Sequence, residues 1–422
     1  MLLLTGLAFA APTPADVTAE LAKVIPLVEQ VTDRTFTAIP PLKFAAPGQT
    51  EQALSDEMAQ TLAHRYPSLS APSVARMADA MGGWMLHAII GKYGYLAKTL
   101  FVRPLGLRDA ERAAGVHDID ETGALDVVLA HELTHALQDQ ELGFGARSDA
   151  APTIDAWRAQ TALWEGHAVL VAAEVAARLG HPTAAAEGMT LQGLGGEAPT
   201  ASNLDFWFNY RTSAVYLTAK SAEPTRAWDL LAEPPVTTAE VFARARARPA
   251  THVEVPAVQA VAATRLGFSD WPTLHRDQGE LDLRRALGCD PAAVAAVVGG
   301  LIGGDSWSSM GSNGANTEVV VWEFVDQSSA RALYDALYGT ALASVKAVAG
   351  SRIPTTVKVT PATESAFEIT VEVIPTSGLP NEAHSGIGVS ERNVVQVSMF
   401  GARPKPGALM DALAASLLES AP

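Results

Sequence analysis

Apolar residues recur at helical spacing over the first third of the chain. From Ala15 to about Val31, ADVTAELAKVIPLVEQV places them every three to four residues, the period of a helix with one face on a core, interrupted by Pro26. The spacing over residues 47 to 90 predicts further helices, broken near YPSLSAPS and at Gly82 and Gly83. In YGYLAKTLFVRP, Leu100, Phe101 and Val102 suit a short strand stopped by Pro104. A helix is predicted from roughly Gly123 to Leu142, ending at Gly143, and another from about Thr153 to Leu179, closed by Gly180 and Pro182. Between 183 and 250 the helical signal is patchy, and FARARARPA at 242 to 250 alternates charge like a solvated surface segment.

The pattern then changes. After the glycine-rich GGLIGGDSWSSMGSNGAN, the stretches TEVVVWEFV, TTVKVT, AFEITVEVI and NVVQVSMF read as strands, with SSARALYDALYG and MDALAASLLES as helices. The expected fold class is therefore α+β: a mainly helical domain over residues 11–285 and a smaller α+β domain over 286–422.

The chain has 422 residues, enough for two domains with real cores, and its 48% hydrophobic and 18% charged content describes a globular protein. A formal charge of −16 disfavours nucleic acid and anionic membrane surfaces as partners and says nothing against a peptide. The start, MLLLTGLAFAAPTPAD, has an apolar run from Leu2 to Phe9 and an Ala-x-Ala site at Ala8 to Ala10, although no Lys or Arg precedes the run. It is expected to be an export signal over residues 1–10, which makes the protein periplasmic or secreted. No later run is long enough to span a bilayer. Cys289 is the sole cysteine, so no internal disulfide forms, and it reads as a small buried hydrophobe.

Chemistry concentrates in VVLAHELTHALQDQEL, residues 127 to 142. His131, Glu132 and His135 form H-E-x-x-H inside the predicted helix. Positions i and i+4 share a helix face, so both imidazoles can reach one metal ion, while Glu132 on the flank can take a proton from a metal-bound water. With ten histidines in the chain, the pattern arises by chance on the order of once in a hundred chains. A zinc hydrolase needs a third protein ligand and an open fourth position. The pattern in which a third histidine follows closely after a glycine fails, because Gln138 stands at the glycine position and Glu141 at the histidine position. Glu165 in TALWEGHAVLVAAEV is the best candidate: its helix is apolar almost all round, and a buried carboxylate is costly unless it meets a cation or strong donors. His167, two residues on and facing elsewhere, is the rival. Gly166 and Ala168 would let this helix approach the motif helix closely.

HELTHALQD followed by EGHA resembles the gluzincins, zinc metallopeptidases of thermolysin-like motif whose third ligand is glutamate. It is closer still to a set of exported bacterial HExxH proteins with HALQDQ and Glu-Gly-x-Ala. The likeness runs from about Trp84 to Phe242 and includes FNYRTSAVYLTA and EPPVTTAEVF, with GGDSW at 303 to 307 as a further point. The resemblance implies a zincin-like domain with Zn²⁺ held by His131, His135 and Glu165, Glu132 as general base, and a peptide or protein substrate. In that class a strand beside the site pairs with the substrate, and AKTLFV could supply it. Asp139 could orient a ligand histidine or be a solvated carboxylate near the helix end. Tyr210 in WFNYRTS is a candidate donor to an oxyanion. The alternative from another class is a non-catalytic, zinc-stabilised binding protein that acts through its C-terminal domain. A zinc hydrolase of a non-peptide substrate would use the same residues.

Overall fold

The computed structural model describes residues 12–44, 49–66, 69–85, 90–103, 120–191, 196, 198–243, 256–271, 273–310, 315–348, 355–363, 365–373, 382–401 and 408–419. The expected export signal at 1–10 and most of FARARARPA lie outside them. The protein is α+β, with a mostly helical N-terminal region and an antiparallel sheet toward the C-terminus. It divides into two compact units, one within residues 1–151, 159–199 and 205–234, the other within 152–158, 200–204 and 235–422.

In the first unit, helix α1 (Pro14–Thr32) begins at a reciprocal cap. The Thr13 hydroxyl accepts from Asp16 N–H while the Asp16 carboxylate accepts from Thr13 N–H, satisfying donors that a helix start leaves open. Val17, Leu21, Val24, Val28 and Val31 form its buried face. Pro26 lies within this helix and does not end it. The carbonyl of Ala22, which the proline cannot serve, belongs to an exposed residue on the same outer side, where solvent can replace the lost bond. A small sheet has the order β1 (Leu42–Phe44), β3 (Thr99–Val102), β2 (Gly91–Gly94), with β1 parallel and β2 antiparallel to β3. Helices α2 (Gln49–Arg65) and α3 (Ala71–Met85) pack together through Leu62, Val74 and Ala78. The long helices α4 (Glu121–Leu142) and α6 (Ile154–Arg178) flank the short α5 (Phe144–Ala150).

One carboxylate of α4 is poorly provided for. Asp126 is 1% exposed, its Oδ1 has no hydrogen-bond partner, and burial joined by the nearby Glu20 carboxylate pushes its carboxyl up to about 6. His181 and Lys23 pull the other way without prevailing. The unfolded carboxyl titrates near 3.9. As pH rises from there to about 6, the unfolded chain releases its proton while the folded chain keeps it, so folding loses stability over that window and the loss is constant above it. Asp126→Asn is therefore expected to raise stability at pH 8 by on the order of 1–3 kcal/mol and to change little at pH 4. Urea unfolding at the two pH values checks this; an equal gain at both would show that ionisation is not the cause.

The second unit is built on a seven-stranded antiparallel sheet in the order β4 (Thr273–Gln278), β5 (Leu301–Met310), β6 (Asn316–Phe324), β10 (Asn393–Phe400), β9 (Glu382–Ser390), β8 (Ala366–Val373), β7 (Thr355–Thr363). Both faces of β6 are buried. Val320, Trp322 and Phe324 pack with Leu333 and Leu337, while Val319 and Val321 pack with Val258, Phe268, Leu409 and Leu413. This double coverage explains why VVVW reads as a continuous apolar run and not a simple alternation.

The glycine-rich stretch before TEVVVWEFV, assigned to no element from sequence, contains the ten-residue strand β5. Its Gly304 is there for closeness: a Cβ would come within 2.5 Å of Val321 O and 3.0 Å of the Trp322 ring. Cys289, expected to be fully buried, is half-buried in a left-handed conformation (φ 64°) just after the helix Glu280–Ala286. The first turn of α6 groups with this unit, where both oxygens of Asp277 accept the open N–H groups of Ile154 and Asp155, at 2.6 and 2.9 Å.

Candidate metal centre

Helix α4 is capped at both ends as its sequence demands. Asp120 accepts from Gly123 N–H at 3.0 Å, and Gly143 closes the helix in the left-handed conformation (φ 68°). Between the caps Leu129, Leu133, Ala136 and Leu137 bury one face of the helix, and Ala130, Thr134, Gln138 and Asp139 carry the burial round to the other sides. Such a helix is held by packing all round, which fixes where His131 and His135 point. Helix α6 is buried likewise through Ala159, Ala162, Leu163, Trp164, Ala168 and Val171, and carries Glu165.

The three side chains meet. His131 Nε2 lies 3.1 Å and His135 Nε2 3.2 Å from Glu165 Oε2, and the two ring nitrogens are 3.0 Å apart. His131, His135 and Glu165 thus form a group that could hold a metal ion. The dimensions fit: ligand atoms about 2.0–2.1 Å from a tetrahedral zinc sit roughly 3.3 Å from one another. The side chains of His131, His135 and Glu165 keep 14%, 11% and 19% of their exposure, so solvent reaches the triangle.

Charge supports the same grouping. Burial works against an ionised Glu165, yet the His135 and His131 rings override it and hold its carboxyl far below the usual range. Burial likewise opposes a charged His135, and the Glu165 carboxylate nevertheless holds the ring above its ordinary value.

Glu132 stands on the flank of this face, where its Oε2 accepts from Tyr93 N–H at 2.5 Å. That contact requires strand β2 to lie against α4, and Gly91 allows it: a Cβ there would meet Val128 Cγ1 at 2.5 Å and Glu132 Cγ at 3.4 Å. The expected neighbour strand needs correcting. AKTLFV supplies β3, which has partners on both sides, and the edge beside Glu132 is β2. Lys92 on β2 pairs with Glu57 at 2.8 Å; burial opposes its charge, but Glu57, aided by Glu132 and Glu165, raises its pKa.

Tyr210 comes to the site from a π-helical turn, Trp207–Thr212, a form that inserts an extra residue and is frequent at functional sites. Its ring centre lies 5.8 Å from that of His131, and its phenol is close enough to Glu165 and Glu132 to feel both charges. Burial, reinforced by the charges of Glu165 and Glu132, keeps the phenol protonated well above its ordinary pKa.

One reading from sequence changes, a partner is supplied, and the rival ligand faces away as read. Asp139 neither orients a histidine nor stands in solvent: it is buried and accepts from the Tyr93 hydroxyl at 2.8 Å and from Lys98 Nζ at 2.5 Å. The partner of His135 is Gln138, whose Oε1 lies 2.9 Å from His135 Nδ1; its place one turn on along the same helix was the only signal for it. His167 turns away from the triangle, to Gln138 at 3.1 Å and Thr225 O at 2.9 Å, and burial pushes its pKa down to about 4.

Gly166 serves a different neighbour from the one expected. It faces the start of α8 (Ser213–Lys220), where a Cβ would meet Ser213 Oγ at 2.3 Å and the backbone at Ala214 N at 2.7 Å. This close approach brings the π-turn, and with it Tyr210, beside the His131 ring. Backbone cannot rotate aside, so Gly166→Ala is expected to cost about 1–3 kcal/mol. Denaturant unfolding of the variant checks it, and stability equal to wild type would show that α8 has room to move.

No family model matches the sequence, and no curated protein matches it. The site itself is a largely buried His-His-Glu group that solvent still reaches, with a second glutamate beside it.

Proposed function

We propose that the protein is an exported zinc-dependent metallopeptidase of the zincin type that hydrolyses peptide bonds. The observation that carries this reading is the meeting of three donor atoms from two buried helices within 3.2 Å, with Glu132 beside them on the motif helix and tied to edge strand β2 through Tyr93 N–H. His131, His135 and Glu165 would hold the ion. Zinc bound there would supply a Lewis acid and bring the pKa of a bound water to about 7.

The chain's own groups provide the rest. Tyr93 N–H holds one oxygen of Glu132, which orients the carboxylate so that its other oxygen can take the proton of the attacking water and return it to the leaving amine. Tyr210 keeps its proton and is placed to donate to the oxygen that becomes negative at the tetrahedral stage. Strand β2 is paired on one side only among the described residues; on its outer edge Tyr93 N–H already serves Glu132, so an extended peptide would pair with the groups that remain. Solvent access to the triangle favours this reading over a sealed structural site.

The test is a digest of a broad peptide library with and without chelator. Chelator-sensitive cleavage is expected. Stoichiometric zinc, a chelator-induced fall in melting temperature and no cleavage would instead make the ion purely structural.

A further inference from the structure

We propose that Gln138 and His167 form a positioning relay that locks His135 with its proton on Nδ1 and its Nε2 lone pair on the metal. The inference rests on the zinc reading above. It begins from two backbone carbonyls, Trp164 O and Thr225 O, which can only accept. Gln138 Nε2 lies 3.0 Å from Trp164 O, so the amide nitrogen is fixed on that side and Oε1 must face His135 Nδ1, 2.9 Å away. An amide oxygen cannot donate, so His135 Nδ1 carries the proton and Nε2 is left for the ion.

The other end agrees. His167 Nε2 lies 2.9 Å from Thr225 O and must donate to it. The neutral ring then has a lone pair on Nδ1, which takes the second amide hydrogen of Gln138 at 3.1 Å. Every proton from Thr225 to the metal-facing nitrogen has one allowed place. Gln138 and His167 are both fully buried, so water does not compete for these bonds. Outer partners of this kind orient a ligand ring and usually cost 10–100-fold in metal affinity when removed.

The experiment measures Zn²⁺ affinity of the full chain by chelator competition, with Co²⁺ absorption as a second readout of ligand geometry. Gln138→Leu is expected to bind Zn²⁺ about 10–100-fold more weakly with an altered Co²⁺ spectrum. His167→Phe is expected to show a smaller loss in the same direction. Val74→Ala, a core variant in the α2–α3 pair, controls for lost stability and should bind as wild type does. Wild-type affinity and spectrum in Gln138→Leu would overturn the relay while leaving the zinc site intact. A wild-type chain that binds no Zn²⁺ would overturn both.

Should Gln138→Leu fail to fold, long-range ¹⁵N–¹H correlation on the zinc-loaded wild type decides the matter. The relay requires protonated Nδ1 on His135 and protonated Nε2 on His167, and the opposite tautomer at either ring would refute it.

Discussion

Glu132→Gln is expected to keep its zinc and lose its turnover, by about 10²–10⁴-fold, the usual contribution of a positioned general base. The substitution isolates proton transfer. Glutamine is nearly isosteric, and its amide oxygen can still accept from Tyr93 N–H, so the contact between β2 and α4 survives. What it cannot do is take a proton from water. None of His131, His135 and Glu165 changes, so metal content and melting temperature should stay at wild-type values. Cleavage of library peptides and zinc per chain are the two measurements, and unchanged turnover would remove Glu132 from the mechanism.

The second large effect is on metal occupancy. Glu165→Ala takes away the one anionic member of the triangle and leaves two imidazoles, so zinc per chain should fall from about one to near zero after dialysis. The loss should exceed the roughly 10–100-fold that follows removal of an outer partner. His135 is buried and owes its raised basicity to the Glu165 carboxylate, so the variant also loses the charge pairing that holds the metal-free site together. Elemental analysis of wild type beside Glu165→Ala checks the prediction. Full zinc in the variant would mean that another side chain completes the site. His167 could do so only by leaving Gln138 and Thr225 O.

Glu165 shows how far a sequence can carry an argument about a site. A carboxylate in a helix apolar on all sides needs a cation or strong donors, and that requirement is visible without coordinates. The structure supplies both imidazoles. Tyr210 was visible only as a tyrosine in an aromatic run, because its aim depends on a π-turn, and one inserted residue leaves no periodic trace. Gln138 was hidden for a different reason: an amide at that position suits a solvated helix flank equally well until Trp164 O and His167 are seen to face it. In the second unit the apolar runs of β6, β8 and β10 announced strands. β5 did not, because its glycines weaken the propensity signal while meeting a steric need set by Val321 and Trp322 on the neighbouring strand.

The local rules were enough for whatever lies within one helix or strand. Two histidines four apart on a capped apolar helix share a face because the backbone has 3.6 residues per turn, whatever surrounds it. Tertiary packing decided everything that joins segments distant in the chain. It chose β2 over β3 as the edge beside Glu132, set Gly166 against α8, and aligned the hydrogen bonds from Thr225 to His135. These depend on which surfaces fit at van der Waals distance and which buried donors find acceptors, and both are properties of the packed interior.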